Sequence, residues 1–272
     1  MTVRVALLLL AASAAISGAA EPSLRTVLSR VERYVERYEP ALSTLVAREH
    51  YVQIVPPSGT RSGQRRTLVS DFLFFRLPGN NAPWLGFRDV LEVDGQPLEN
   101  QGDWLREIVA SPESAERRAL AMARENARYN IGRFMRTVNV PICVVAWMHP
   151  RIRDRFSFKQ AGEEPIDGTR TWRIEYTEKR KPTLVRTPDG SYVMSSGRIW
   201  VDPENGRVLQ TELRNTLGDL AVTIQVRFVA NDTFGVLVPS RMREAYDDGV
   251  DRLETEAVYS DYRRFTTGAR IR

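Results

Sequence analysis

Cysteine is almost absent from this chain of 272 residues, in which Cys143 is the only one. A single cysteine permits no internal disulfide, so packing alone must stabilise the fold, even in an oxidising compartment. Beyond residue 20 the chain also lacks an unbroken apolar run of the roughly 18 residues that a membrane-spanning helix needs. The sequence therefore predicts a mature chain without a spanning helix.

Histidine is equally scarce, and the two present, His50 and His149, lack the paired spacing of zinc motifs. Four acidic residues lie close together around Gly249, but their spacing differs from that of an EF-hand loop. A solvated turn explains them more simply than a calcium site. We therefore predict no metal and no cofactor. The acidic residues are Asp247, Asp248, Asp251 and Glu254.

Catalytic signatures are missing as well: there is no GxSxG elbow, no SxxK with a following KTG, and no glycine-rich phosphate loop. The apolar neighbours of Cys143 should raise its thiol pKa, which opposes nucleophilic attack. A carboxylate pair remains an open alternative, because several acids lie on or beside predicted strands. These acids are Glu49, Asp71, Asp89, Glu92 and Asp94. We predict no catalytic residues and interpret the chain as a non-enzyme.

The first twenty residues, MTVRVALLLLAASAAISGAA, place Arg4 before an apolar run that ends in small residues. This pattern is typical of a secretory signal peptide, so the mature chain should begin near Glu21. A lipid anchor at the N-terminus would need a cysteine just after that point, and the only cysteine is Cys143, so we predict no such anchor. We expect an exported protein, periplasmic or extracellular and soluble after signal cleavage. Because an exported protein seldom meets nucleic acid, we predict no nucleic-acid partner.

Hydrophobic periodicity predicts one long helix and many strands. From Leu24 to Tyr38, apolar residues recur every three or four positions, which indicates an amphipathic helix that Pro40 ends. A second helical zone, from about 103 to 129, is interrupted at Ser111-Pro112. Strands are predicted over 45–55, 67–77 and 85–93, and the runs TWRIEYTE (171–178) and LAVTIQVRF (220–228) alternate apolar and polar residues.

Short turn signals such as DPENG (202–206) separate the strands, so neighbours should pair as antiparallel hairpins. We predict a mainly β (α+β) protein with a single curved antiparallel sheet of about nine to eleven strands, and covering helices on its concave side. Residues 1–20 would be the signal peptide. Residues 21–272 would form one domain with a helical insert at about 101–149.

The stretch RTVNVPICVVAWMHPRIRDR (136–155) has an apolar centre bounded by prolines and arginines. Between 124 and 155 there are seven arginines and two acids, a surplus of five that equals the net charge of +5. The centre is long enough for one buried helix or strand, and packing in the core is the simplest interpretation. A second interpretation makes it one side of an apolar pocket with an anionic head group held by arginines. The candidate ligand-binding residues are Phe134, Met135, Ile142, Val145, Trp147, Met148, Arg133, Arg136, Arg151 and Arg153, with Arg155 beside them.

The C-terminal half resembles a known family. The segments SGRIWVDPENGRVLQTELR (196–214), VTIQVRF (222–228), VPSRMREAY (238–246) and AVYSDYRRF (257–265) are similar to the β-meander of the outer-membrane lipoprotein-sorting carrier superfamily. Further segments, FRDVLEVDG (87–95), ARYNIG (127–132) and PTLVR (182–186), resemble exported bacterial proteins without an assigned activity. The resemblance implies an open half-barrel, covered by helices, with an apolar cavity for acyl chains.

Together these features lead to a functional hypothesis: a non-catalytic envelope protein that binds a lipid or other apolar ligand in a half-barrel cavity. The arginine-rich segment 124–155 could add contact with a membrane surface. An envelope scaffold that holds a protein partner along a sheet edge is the alternative, and a hydrolase without known motifs comes third.

Overall fold

The computed structural model describes residues 21–43, 45–76, 84–99, 115–134, 136, 139–187 and 189–264. The predicted signal peptide and the interruption at Ser111-Pro112 lie outside the described residues. Four helices are described: α1 (Leu24–Leu42), α2 (Ala115–Asn126, followed by a 3₁₀ turn, Ala127–Tyr129), α3 (Cys143–Trp147) and α4 (Pro150–Arg153). The strands are β1 (Leu45–Val55), β2 (Gln64–Arg76), β3 (Trp84–Val93), β4 (Gln96–Pro97), β5 (Phe156–Glu163), β6 (Trp172–Glu178), β7 (Val185–Arg186), β8 (Tyr192–Val193), β9 (Ser195–Val201), β10 (Val208–Leu217), β11 (Leu220–Asn231), β12 (Val236–Asp247) and β13 (Arg252–Arg264).

One antiparallel sheet of eleven strands dominates the described chain, in the order β4-β3-β2-β1-β13-β12-β11-β10-β9-β6-β5. The strands β7 and β8 form a separate hairpin. The first and last long strands are neighbours, because β1 pairs with β13 along most of its length. The sheet does not close, since β4 and β5 lie at its two edges. This is the open half-barrel of nine to eleven strands that the sequence predicts, and the prediction is confirmed.

Alternation along β1 defines the two faces of the sheet. Ala47, Glu49, Tyr51 and Gln53 are buried on one side, which we call the covered face, while His50 and Ile54 on the other side are exposed. Helices α1, α2 and α3 pack against strands of the sheet. The core cluster combines the apolar side chains of α1 and α3 with those of nearly every long strand. The helices therefore bury the covered face.

Helix α1 begins at Ser23, whose hydroxyl accepts a hydrogen bond from the Thr26 amide at 3.2 Å. Its apolar positions recur with helical spacing, and seven of them are buried: Val27, Leu28, Val31, Tyr34, Val35, Tyr38 and Leu42. The predicted end at Pro40 was two residues short. Proline removes only one hydrogen bond from the last turn, and the buried Leu42 holds that turn against the core.

The DPENG turn between β9 and β10 contacts α1 directly. Gly206 has a φ of +78°, and a Cβ there would lie 2.2 Å from the carbonyl carbon of Arg30. The Arg30 guanidinium in turn donates to the Pro203 carbonyl at 2.5 Å. Glycine is therefore required at this turn both for its backbone conformation and for the close approach of the helix.

Candidate ligand-binding site

The centre of the 136–155 stretch is part of the core. It forms α3, and Ile142, Val145, Trp147 and Met148 are between 0 and 9% exposed. The Trp147 ring stacks on Phe156 at 5.7 Å between centroids and meets Tyr176 edge-on at 6.5 Å. Pro150 begins α4 after His149, whose ring nitrogen accepts from the Arg151 amide at 3.2 Å. These four predicted site residues therefore contact the protein's own side chains.

Phe134 lies elsewhere, in a smaller apolar cluster with Tyr246 and Leu253. Its ring stacks on that of Tyr246 at 5.9 Å between centroids. Met135 lies outside the described residues. The structure thus separates Phe134 from the four residues around α3, and a ligand-binding role for either group stays a prediction.

The arginines of 124–155 are close in sequence and spread out in space. Four of them contact different parts of the chain: Arg133 pairs with Asp248 and Asp251 after β12, Arg153 with Glu32 on α1, and Arg155 with Glu178 on β6, while Arg136 donates to the neutral side chains of Gln53 and Asn130. Arg151 lies at the start of α4 and also has an interaction partner. These contacts therefore distribute the arginines over separate parts of the structure.

A network of charged and polar groups occupies the covered face where β1, β3, β12 and β13 meet. Arg88 makes a bidentate ion pair with Glu49, with one N–H···O distance of 2.8 Å, and its guanidinium lies 4.9 Å from the Tyr51 ring centroid. Burial alone would lower the pKa of Arg88, but the Glu49 carboxylate outweighs it and raises the pKa above its ordinary value. Arg88 thus stays charged, and the pair is largely shielded from water, with the Arg88 side chain 15% and the Glu49 side chain 0% exposed.

A second carboxylate, Glu244, completes this network. It accepts from the Tyr51 hydroxyl at 3.1 Å and from the Tyr246 hydroxyl at 2.6 Å. Burial, followed by the neighbouring Glu244 charge, raises the pKa of both tyrosines, so their hydroxyls stay protonated as donors. Arg136 reaches the same Tyr51 hydroxyl at 3.3 Å and the Gln53 side-chain oxygen at 2.6 Å.

Sequence reasoning did not single out this network, although Glu49 was considered as an acid. A signal was present, because Glu49 falls on the inward register of β1 between Ala47 and Tyr51. A charge at an inward position must find a partner. The identity of that partner, Arg88 on β3, follows only from the pairing of three strands.

Two spaces are candidates for a ligand, and the smaller one adjoins the network. A cavity of about 80 Å³ lies under α2, between β2, β3 and the segment 127–140, and Arg88 and Arg136 line it. A larger groove of about 590 Å³ lies at the ends of the strands. We call it the strand-end groove; its walls are residues 55–64 between β1 and β2, residues 132–134, and residues 250–252 between β12 and β13.

The strand-end groove combines apolar and cationic side chains. Val55, Pro57 and Phe134 contribute apolar surface, and Val250 at the tip of a turn is 68% exposed. Arg61 and Arg133 also line it, and both pair with Asp251, Arg61 at 2.5 Å and Arg133 at 2.8 Å. Arg252 lies in the same wall. Two of the predicted site residues, Arg133 and Phe134, therefore meet in this groove.

Among the candidate acids, Glu49 lies apart from Asp71, which is the register partner of Asp89 on β3. Burial raises the pKa of the Cys143 thiol to about 12, so the thiolate is scarce at neutral pH. Glu49 is paired with Arg88 on the covered face, whereas Asp71 is paired with Arg48 and Arg263 on the opposite face. Two carboxylates on opposite faces cannot act on one substrate bond.

The acidic turn after β12 is organised by its own backbone. The Asp248 carboxylate accepts from the amides of Val250 and Asp251 at 3.0 and 2.8 Å, and these hydrogen bonds, the Asp251 amide first, lower its pKa. In the part of the chain that the structure describes, no three His, Cys, Asp or Glu side chains are grouped so that they could hold a metal ion. None of the described helices is long and apolar enough to cross a bilayer.

Comparison with known proteins places the fold in a wider context. No protein-family model matches the chain, and no curated protein matches it. Among solved structures, it is similar to a DUF1329 family protein from Desulfovibrio piger, with a TM-score of 0.40 and 14% identity over 89% of this chain and 95% of the other. It is also similar to a LolA superfamily protein from Nitrosomonas europaea, with a TM-score of 0.37 and 10% identity over 90% of this chain and 94% of the other.

Proposed function

We propose that this protein is an exported, non-catalytic binding protein of the bacterial envelope that holds an apolar or lipidic ligand. The observation that carries the proposal is the strand-end groove, where apolar side chains and three arginines line one space. Its volume of about 590 Å³ falls in the roughly 300–1,000 Å³ range of small-molecule pockets. The cavity under α2, at about 80 Å³, is too small for an acyl chain.

The chemistry of the groove suits an amphiphile with an anionic end. Val250 and Phe134 offer apolar contact, and the guanidinium groups of Arg61 and Arg133 lie beside them. Both arginines already pair with aspartates; the arginine side chains are 61% and 57% exposed, and the aspartate side chains are 15% exposed. The exposed guanidinium groups can also contact a carboxylate or phosphate from the solvent side.

The edge-docking alternative is less well supported. The strand β5 forms one edge of the sheet, and it carries an exposed Lys159 and an irregularity in its register between Gln160 and Glu163. Charged residues and bulges on an edge strand hinder the addition of another strand. The other edge, β4, is only two residues long. The membrane contact predicted for 124–155 stays a prediction, and the pairing of its arginines leaves less free charge to support it.

The test is binding of a fluorescent long-chain fatty acid to the purified mature chain, together with mass spectrometry of lipids extracted from it. Val250→Asp places a charge at the exposed tip of the groove. It should weaken binding by roughly tenfold or more, since burial of a valine contributes about 1.5–3 kcal/mol. Val229→Asp is the matched control, because Val229 is 39% exposed on β11 and does not line the groove.

Saturable binding that Val250→Asp weakens and Val229→Asp leaves unchanged would support the proposal. If no lipid is extracted and the fatty acid does not bind, the protein is not a lipid carrier of this kind. If both variants bind like the original chain, the groove is not the site.

A further inference from the structure

The cavity under α2 has a chemistry of its own. Its polar lining consists of two arginines and three asparagines: Arg88, Arg136, Asn126, Asn130 and Asn139. Leu68, Phe72 and Met122 contribute apolar walls. A volume of about 80 Å³ accommodates a few water molecules or one small ion, since one water needs roughly 10–15 Å³ by the same measure.

The two arginines of the cavity differ in how their charge is balanced. Arg88 is neutralised by the bidentate contact with Glu49. Arg136 instead donates to the side-chain oxygens of Gln53 and Asn130, at 2.6 and 3.0 Å, and to the Ile131 carbonyl at 2.6 Å. All of these acceptors are neutral.

Arg136 is connected to the Glu244 carboxylate through the Tyr51 hydroxyl, which accepts from Arg136 and donates to Glu244. Both Glu244 carboxylate oxygens already accept from tyrosines. Within the described residues, Arg136 therefore has no carboxylate in direct contact, and its buried Nε atom has no hydrogen-bond partner. A partly buried guanidinium without a counter-charge is energetically costly.

The asparagines around the cavity contribute further hydrogen-bonding groups. The Asn130 oxygen accepts from Arg136, and the Asn126 amide nitrogen donates to the Arg88 carbonyl. Asn130 and Asn139 also line the cavity, and their side-chain amides can donate N–H groups. With the Arg136 Nε, these groups offer N–H donors and positive charge to one small volume, which is the combination that binds anions.

We propose that the cavity under α2 binds a small oxyanion, a carboxylate or phosphate group, between Arg136, Asn130 and Asn139. The site is separate from the strand-end groove and does not depend on the proposed function. Its size limits the bound part to a few heavy atoms. A free anion and the head group of an amphiphile share this chemistry.

The first experiment measures thermal unfolding of the mature chain in sodium phosphate and in sodium chloride at equal ionic strength. Phosphate should raise Tm saturably, by roughly 5–10 °C at a hundredfold excess over Kd, because it binds the folded state alone. Isothermal titration calorimetry with phosphate gives Kd independently.

The decisive variant is Asn130→Asp, which keeps the size of the side chain and supplies Arg136 with an internal carboxylate. It should fold with a Tm in chloride at least equal to that of the original chain, and its Tm should no longer respond to phosphate. Asn231→Asp is the matched control. The Asn231 side-chain oxygen accepts a hydrogen bond from the Phe234 amide at 3.3 Å in the turn after β11, and an aspartate oxygen can accept the same bond. The Tm of this variant should therefore respond to phosphate like that of the original chain.

Equal effects of phosphate and chloride on the original chain would overturn the proposal, as would an Asn130→Asp variant that still responds to phosphate. Phosphatidylglycerol vesicles then separate the two sources. If phosphate inhibits vesicle binding and Asn130→Asp abolishes it, the site binds a lipid head group. If the original chain binds phosphate but Asn130→Asp leaves vesicle binding unchanged, the site binds a free anion. Val250→Asp should keep the phosphate response, so failure of this site and failure of the groove are distinguishable.

Discussion

The buried ion pair between Glu49 and Arg88 permits a quantitative test of the fold. Replacing Glu49 by Gln leaves the Arg88 guanidinium charged between the rings of Tyr51 and Phe72, 4.9 and 5.3 Å from their centroids. Removing one partner of a buried pair typically costs about 3–5 kcal/mol, because the remaining charge is desolvated without compensation. We expect a loss of this size in the free energy of unfolding, measured by urea denaturation with circular dichroism.

The double variant Glu49→Leu with Arg88→Met removes both charges. It should recover most of that loss, since apolar residues often replace a buried pair at little net cost. The control pair is Arg243 with Glu256, where the side chains are 61% and 38% exposed at a distance of 2.7 Å. Glu256→Gln should cost less than about 1 kcal/mol. If Glu49→Gln costs no more than this control, the pair is not buried and the packing of α2 over the covered face is wrong.

Three further predictions test the core. Gly206→Ala should lower the free energy of unfolding by more than about 2 kcal/mol in the same urea titration, because the new methyl group clashes with Arg30 and the left-handed backbone adds a strain of about 1–2 kcal/mol. Gly235→Ala is the control: Gly235 has a φ of +66° and open space around it, so this variant should show the backbone strain alone. Trp172→Ala should cost about 3–5 kcal/mol in unfolding free energy, as truncation of a side chain 1% exposed; a cost below 1 kcal/mol would contradict its burial. The thiol pKa of Cys143 is raised to about 12 in the folded state, so the protonated thiol contributes to stability below the ordinary pKa of about 8.5, and this contribution is lost as the pH rises towards 12. The free energy of unfolding of Cys143→Ala should therefore fall less steeply between pH 8.5 and 10 than that of the original chain.

Local pattern was sufficient to predict most of the fold. The predicted strand 45–55 matches β1, and the predicted helix from Leu24 differs from α1 only at its end. The reason is that alternation with period 2 and recurrence every three or four residues are direct consequences of which side chains face the core. The glycine in DPENG was read as a turn signal. Its contact with Arg30 on α1 depends on tertiary packing, which a local pattern does not contain.

The site was less predictable, because it depends on which distant residues meet. The segment 124–155 reads as one basic patch, yet Arg133, Arg153 and Arg155 point to partners on three different elements. Two short helices, α3 and α4, lie within this segment, and a local charge count does not show which distant element each arginine will meet. Conversely, Gln53 and Arg136 lie 83 residues apart and share a hydrogen bond of 2.6 Å. Composition gives the net charge correctly but does not show which charged side chains form ion pairs.

The cost of opening the covered face bears on where the proposed ligand would bind. A ligand bound between α1 and the sheet would have to displace seven buried apolar side chains of that helix. At about 1.5–3 kcal/mol each, their exposure would cost roughly 10–20 kcal/mol. A ligand with micromolar affinity contributes only about 8 kcal/mol. The strand-end groove exposes Val250 already, so binding there requires no such displacement, and this difference favours the ends of the strands over the space beneath α1.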